Sequence, residues 1–390
     1  MKRSVVFLIA CQVGAMSLWF SAAATTVPLA QTYGLSPADL AVLTTATQLG
    51  FVVGALGFAA FGIPDRFDPR RVFAVSALIA AAANLALLAV PPGDAAAIAS
   101  RALVGACLAG VYPVGMKMAV GWSLARRGFL VGLLVGALTL GSALPHLFAL
   151  LGGSNWRAVL VATSVGAAVS AFAIFLVGLG PHHQKATAFR PGAIMIVWRD
   201  RRILSAYLGY FGHMWELYAF WAWVGTLGAF AATAAGMGAP QAYGSALAFV
   251  AIALGGVVCV PAGLVADRIG KATVARVALA CGAGAGIVAA FTFGQWPFVF
   301  AVALLVWGAA IIPDSAQFSA LVADAAPPDY AGSIMTLQNA IGFSLSAVSV
   351  QLTPVLAGHA GWPTAILVLL VGPMLGFAAL SRRFSGRERR

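Results

Sequence analysis

Polar positions in this chain gather into short clusters that separate long apolar runs. The runs lie near residues 4–27, 38–62, 72–90, 95–121, 128–151 and 158–179, then near 203–231, 241–264, 273–293, 297–322, 331–356 and 362–380. Each is close to the ~20 apolar residues that a helix needs to cross a bilayer. The only other structure that satisfies its own backbone in lipid is a closed barrel. A barrel would show alternating strands of about ten residues, and unbroken stretches such as Val72–Val90 contradict that. The pattern predicts an all-α membrane protein of twelve spanning helices.

Composition agrees. Hydrophobic residues make up 61% of the 390 and charged residues only 9%, against roughly 25% charged in ordinary globular domains. The net charge of +12 raises the question of nucleic acid, but its placement answers it. All 23 basic residues except Arg101, Lys117 and Arg157 fall at the N-terminus, at the C-terminus, in the loops after runs two, four, six and eight, or, for Arg276, at the adjoining end of run nine. Those segments share one side of the membrane, so the excess is the positive-inside asymmetry. It predicts an inner-membrane protein with both termini cytoplasmic and a surface that attracts anionic lipid. Cys11, Cys107, Cys259 and Cys281 lie inside apolar runs without paired spacing and read as small core residues. The first run is too long for a cleaved leader and reads as helix one.

The longest polar stretch, residues 180–202, divides the chain into six-helix bundles at 1–179 and 203–380, followed by a basic tail at 381–390. His182 and His183 in the linker read as solvated, since no further metal donors converge there. The halves repeat: Pro37 and Pro240 open runs two and eight, Asp65-Arg66 and Asp267-Arg268 close them, and Pro113 and Pro313 interrupt runs four and ten. Parallel repeats of this kind are an established transporter design.

The loop Gly62-Ile-Pro-Asp65-Arg66-Phe-Asp-Pro-Arg70-Arg71 and its second copy Gly263-Leu-Val-Ala-Asp267-Arg268-Ile-Gly270-Lys271 resemble the loop signature of the major facilitator superfamily. The first copy departs from it, with Asp68 or Pro69 where glycine is usual. Arg101, Gly105, Gly110, Pro113, Trp122 and Arg126-Arg127-Gly128 resemble its helix-four motif. Gly132, Gly136, Gly141 and Pro145 resemble the helix-five pattern of its exchangers, and Asn155-Trp156-Arg157 is a further common feature. The resemblance covers the whole chain. It implies two pseudo-symmetric bundles, a watered cavity lined by helices one, four, seven and ten, and transport of a small molecule. Nitrate and nitrite carriers of that superfamily carry an arginine in helix two and another in helix eight; here both helices lack one.

Ionisable residues inside lipid cost roughly 2.5–3.5 kcal/mol each at mid-helix on insertion scales and mark functional sites. Four stand away from helix ends: Arg101 and Lys117 in run four, Glu216 in run seven and Asp314 in run ten. His213 precedes Glu216 by one near-turn, so the two read as neighbours and as a candidate proton relay, with Arg101 and Asp314 as further coupling candidates. The rival reading for each is structural packing. Arg101, Tyr112, Lys117, Tyr210, Trp215, Phe220, Trp19, Gln338 and Asn339 are candidate cavity residues; Phe20, Trp221, Gln12, Gln48 and Gln317 belong to the same polar and aromatic set. Asp65, Arg66, Asp267 and Arg268 are candidate gating residues. Gly282, Gly284 and Gly286 imitate part of a dinucleotide fingerprint but follow no strand, and read as packing positions.

The expectation is a monomeric secondary transporter with no cofactor and no resident metal. It takes an organic acid, a zwitterion or a drug-like compound, with protons, membrane lipids and the solute as its partners. An uncoupled facilitator and an efflux exchanger are the nearest rivals. A membrane enzyme would need a zinc, nucleophile-elbow or phosphate-loop motif, and the sequence has none.

Overall fold

The structure is a computed structural model that describes residues 2–123, 127–152, 155–181, 193–327 and 330–384; within these, the side chains of residues 2, 64, 65, 127, 128, 193, 194 and 382–384 are left undescribed. Among the described residues all regular structure is helical. Helix α1 comes in three pieces, Lys2–Met16, Ser21–Ala24 and Thr26–Tyr33. Then follow α2 (Pro37–Phe61), α3 (Pro69–Leu85), α4 (Ala95–Leu108 and Tyr112–Val120), α5 (Arg127–Leu151) and α6 (Trp156–Ala173). The second half has α7 (Arg201–Ala234), α8 (Pro240–Ile269), α9 (Lys271–Thr292) and α10 (Pro297–Ala310 and Pro313–Ala325). The run Ala331–Leu369 is divided by Gly361, whose φ of +81° no helix accommodates, into α11 (331–360) and α12 (362–384). Short helices at Ile63–Arg66 and Ala193–Arg199 lie between spans. Among the described residues ten segments are long and apolar enough to cross a membrane unaided; the broken α1 and the division at Gly361 bring the total to the expected twelve.

Local chemistry explains the ends and the breaks. Pro37 stands at the start of α2, where its missing N–H is no loss. Ser36 caps that end reciprocally: its hydroxyl accepts from the Asp39 N–H at 3.2 Å, and its own N–H donates to Asp39 Oδ2 at 2.9 Å. The repeat copy at α8 keeps Pro240 but replaces the serine with Ala239, held at φ +52°. Pro113 and Pro313 each stand in the first turn of the second piece of a broken helix, because proline supplies no N–H and crowds the preceding turn. In the second loop copy Gly270 adopts φ +94°, which explains the glycine. The first copy reaches its turn differently: Asp68 accepts from the Arg70 N–H and pairs with its guanidinium at 2.7 Å. The Arg70 guanidinium holds the Asp68 carboxyl below the usual carboxylate range.

The outward faces carry the side chains that lipid requires. Val53, Phe172, Val257 and Phe298 are each at least 69% exposed; in water each would forfeit about 1.5–3 kcal/mol of burial. Cys281 also faces outward, whereas Cys11, Cys107 and Cys259 are buried. The core reading therefore fails for Cys281, because α9 turns that face away from its neighbours. Of the α9 glycines, Gly286 packs against Leu370 and Gly282 against the Glu216 carboxyl, while Gly284 meets open space. The two halves meet chiefly along α2 with α11 and along α5 with α8.

Candidate functional site

In the first half the site is built on the interruption of α1 at residues 17–20. A broken helix leaves carbonyls without N–H partners, and Arg101 of α4 supplies them. Its Nη2 donates to the Leu18 and Trp19 carbonyls at 3.1 and 3.2 Å. Its Nη1 donates to Asn84 Oδ1 at 2.6 Å and Ser21 Oγ at 3.3 Å. Asn84 passes the network on to α6 through Leu160 O, Thr163 Oγ1 and Ser164 Oγ. Four helices are thus tied at one guanidinium that is fully buried.

The residues fixed by that network form one side of a barrier across the axis. Trp19 lies 4.8 Å from Phe51, 5.6 Å from Tyr218 and 5.6 Å from Phe343, ring centre to ring centre. Phe20 meets Trp221 edge-on at 5.8 Å. Trp19, Phe20 and Phe51 belong to the first half, while Tyr218, Trp221 and Phe343 belong to the second. Cross-half hydrogen bonds lie nearby: Ser346 to Gln48, and Thr45 to Gln351 at 3.2 Å, with Gln351 Nε2 donating to Ala38 O. On the far face, away from the basic loops, a cavity of about 260 Å³ reaches His146, Thr226, Gln241 and Ser245. Toward the basic face the second piece of α4 and that of α10 make no substantial contact with each other. Tyr112 and Lys117 are half-buried there and Asn339 is exposed. Among the described residues the halves are thus joined toward the far face, while the second pieces of α4 and α10 stay apart toward the basic one.

The ionisable groups of the second half lie behind the axis wall. His213 Nδ1 of α7 stands 2.9 Å from Asp314 Oδ1 of α10, at ion-pair distance without hydrogen-bond alignment. Both are at most 1% exposed. Tyr210 and Phe318 flank the imidazole, each with its ring centre 6.0 Å away. Glu216 accepts from Trp307 Nε1 of α10 at 2.5 Å. Tyr210 donates to Asn339 Oδ1 of α11 at 3.0 Å, on the axis side. Several buried polar atoms lack a protein partner among the described residues: the indole N–H of Trp19 and Trp221, the Gln48 amide nitrogen and the Gln338 amide. Buried groups of this kind are normally satisfied.

The profile of the Major Facilitator Superfamily matches residues 6–350. The chain belongs to that superfamily. No curated protein matches it in sequence. Among solved structures it is similar to the nucleoside transporter NupG (13% identity, TM-score 0.73, covering 97% of this chain and 98% of that one). It is also similar to a partially occluded, inward-open form of the xylose transporter XylE from E. coli (12%, 0.74, 97% and 99%). A third is a bacterial homologue of the lysosomal transporter Spinster in an inward-facing, occupied form (16%, 0.72, 98% and 97%). At these identities the likeness establishes the fold. The chain is a transporter rather than an enzyme.

Within the superfamily fold, several expected residues occupy other places than the sequence suggested. Glu216 and His213 are not partners. They lie about 60° apart around α7, enough for His213 to reach Asp314 while Glu216 turns to Trp307 and α9. Arg101 lies inside the first bundle and does not line the cavity, because the α1 carbonyls consume its donors. Trp215 is about 140° around α7 from Tyr210. It points outward, with its N–H on the Val368 carbonyl. Phe220 packs against Trp307 with ring centres 4.8 Å apart and planes tilted by 43°, behind the axis wall. Trp19 is buried against Tyr218 and Phe343 of the other half, Tyr210 bonds Asn339, Tyr112 and Lys117 are half-buried, and Gln338 is buried. Arg66, Asp267 and Arg268 are exposed and form no ion pair among the described residues; the Asp65 side chain, His182 and His183 lie outside what is described. Asn84, Phe51, Tyr218, Phe343, Trp307 and His146 were missed. Asn84 and His146 were findable as lone polar residues in apolar runs. The aromatic residues carry no signal that distinguishes a barrier from ordinary packing.

Proposed function

We propose that this chain is a proton-coupled secondary transporter that moves a small polar or charged solute across the inner membrane by alternating access. The observation that carries the reading is the His213–Asp314 pair, with Glu216 close by on the same helix. Three titratable groups in an apolar interior are expensive to keep, and a facilitator has no use for them. Imidazole and carboxyl share one proton without changing the net charge of the pair. Opening the far face moves α7 and α10 and admits water, so the number of protons on the pair can change once per cycle. Glu216 is a second acceptor linked to α10 through Trp307.

The basic face is the cytoplasmic one by the positive-inside asymmetry, and the division at residues 180–202 separates two bundles that rock as bodies. Trp19, Phe20, Phe51, Tyr218, Trp221 and Phe343 form the outer barrier. The partnerless amides and indoles beside it are the groups a solute satisfies. Asp65 and Asp267 act at the inner gate, meeting partners when the basic face closes. The test is a panel of organic acids, zwitterions, nucleosides and sugars screened for thermal stabilisation of the purified protein. The stabilising solute should bind with a pH dependence that His213→Ala and Glu216→Gln each change. A pH-independent solute effect, unaltered in both variants, would leave an uncoupled facilitator.

A further inference from the structure

A cavity of about 630 Å³ lies on the outer face of the second half, away from the axis, between α7 and α12 with one wall from α11. Its α7 wall is the stripe Arg201, Leu204, Leu208, Phe211 and Trp215, spaced three and four residues apart and so on one face of the helix. The floor is formed where two backbones nearly touch: a Cβ on Gly212 would sit 2.2 Å from the Gly372 carbonyl oxygen. Small residues on both helices keep this seam low, while Leu208 and Leu375, 47% and 66% exposed, rise beside it. The polar atoms along it are already committed. Ser205 Oγ donates to Ala379 O at 2.8 Å, and Trp215 Nε1 donates to Val368 O at 3.3 Å.

The exception is at one end. Arg201 is exposed and forms no ion pair among the described residues, whereas its neighbour Arg202 is held by Asp200 at 3.2 Å. Just before it, Trp198 on the helix Ala193–Arg199 is 69% exposed, as an indole at the headgroup level would be. From Arg201 to Trp215 the groove runs about 21 Å. One leaflet contributes about half of the ~30 Å hydrocarbon core, so the groove spans a headgroup and one leaflet's worth of chain.

We infer that this groove binds a glycerophospholipid with an anionic headgroup. One acyl chain lies along the α7–α12 seam, and the phosphate is held by the Arg201 guanidinium, whose planar fork suits it. The requirements on the occupant are an apolar body, leaflet length and negative charge at the basic end. A polar solute would find no partner along the walls. The bound chain buttresses α7, the helix that carries His213, Glu216 and Tyr218.

The experiment is native mass spectrometry of the full-length protein in detergent, titrated with phosphatidylglycerol and phosphatidylcholine of matched chains. The wild type should retain one phosphatidylglycerol in preference to phosphatidylcholine. Arg201→Gln should reduce that preference roughly fivefold, the share of one basic residue at the surface. Brominated acyl chains should quench tryptophan emission of the wild type more than that of Trp215→Phe, a measurement that needs no groove-filling variant. Equal retention of both lipids, an unchanged preference in Arg201→Gln, or equal quenching in Trp215→Phe would each overturn the assignment. A dimer lost on Ala378→Trp would do so as well, by giving the groove to a second copy.

Discussion

Arg101 was a coupling and cavity candidate with structural packing as its rival, and its four hydrogen bonds go to the α1 break, Asn84 and Ser21. Hydrogen bonds to a charged group contribute about 1.5–3 kcal/mol each, so the gross gain is several kcal/mol. Burial of a cation with no carboxylate opposite it offsets part of that. Arg101→Ala removes the bonds, leaves the Trp19 carbonyl without its donor and opens a cavity the size of a large side chain. A net loss of about 3–5 kcal/mol follows. Taking about 2–4 °C per kcal/mol, the melting temperature in detergent should fall by roughly 6–20 °C. Arg101→Met, which fills the space and removes the buried charge, should lose about half as much. Arg101→Lys should resemble the alanine variant more than the wild type, since a compact ammonium cannot bridge two carbonyls and Asn84. An Arg101→Ala protein that melts within about 2 °C of wild type but no longer responds to the stabilising solute would refute the structural assignment and return Arg101 to the cavity.

Three further outcomes follow. Trp19→Ala removes three ring pairs of about 0.5–1.5 kcal/mol each from the outer barrier; a cysteine at Ser245 should become several-fold more reactive to an impermeant thiol reagent in a Cys281→Ser background, and unchanged reactivity would show that the barrier lies elsewhere. Asp267 is exposed and unpaired among the described residues, so Asp267→Asn should leave stability within about ±0.5 kcal/mol, as a surface change does. The same variant should make a cysteine at Asn339 more reactive in inside-out vesicles, by weakening the closed inner gate, and equal reactivity would remove Asp267 from the gate. In intact cells a cysteine at Ser36 should react with an impermeant reagent and one at Ala323 should not; the reverse would invert the topology.

The fold was legible because lipid imposes it. Any residue facing the bilayer must be apolar and any span must be about 20 residues long, so Val53 and Phe172 announce their environment without knowledge of a neighbour. The proline breaks were legible for the same local reason: Pro113 and Pro313 lack an N–H wherever they stand. The site was only half legible, since a buried polar residue declares that it has a partner without saying which. His213 and Glu216 are adjacent on the helix surface, but α10 offers Asp314 to one and Trp307 to the other, and that choice depends on how α7 and α10 are rotated. Arg101 was found by its charge and misassigned for a related reason. The interruption of α1 that occupies it falls at Ser17–Phe20, where neither proline nor glycine marks it. The pairings across the barrier, such as Trp19 with Tyr218 and Phe343, join residues about 200 and 320 positions apart, and no periodicity within one run reports them.

The central claim is that the His213–Asp314 pair carries the coupling proton. The most direct measurement is uptake by proteoliposomes of the solute that stabilises the protein, with an imposed pH gradient, compared between wild type and Asp314→Asn. The wild type should accumulate the solute above its external concentration. Asp314→Asn keeps the shape but fixes one protonation state, so it should only equilibrate the solute, while still exchanging it between the two sides. Accumulation by Asp314→Asn to the wild-type level and with the wild-type pH profile would contradict the account.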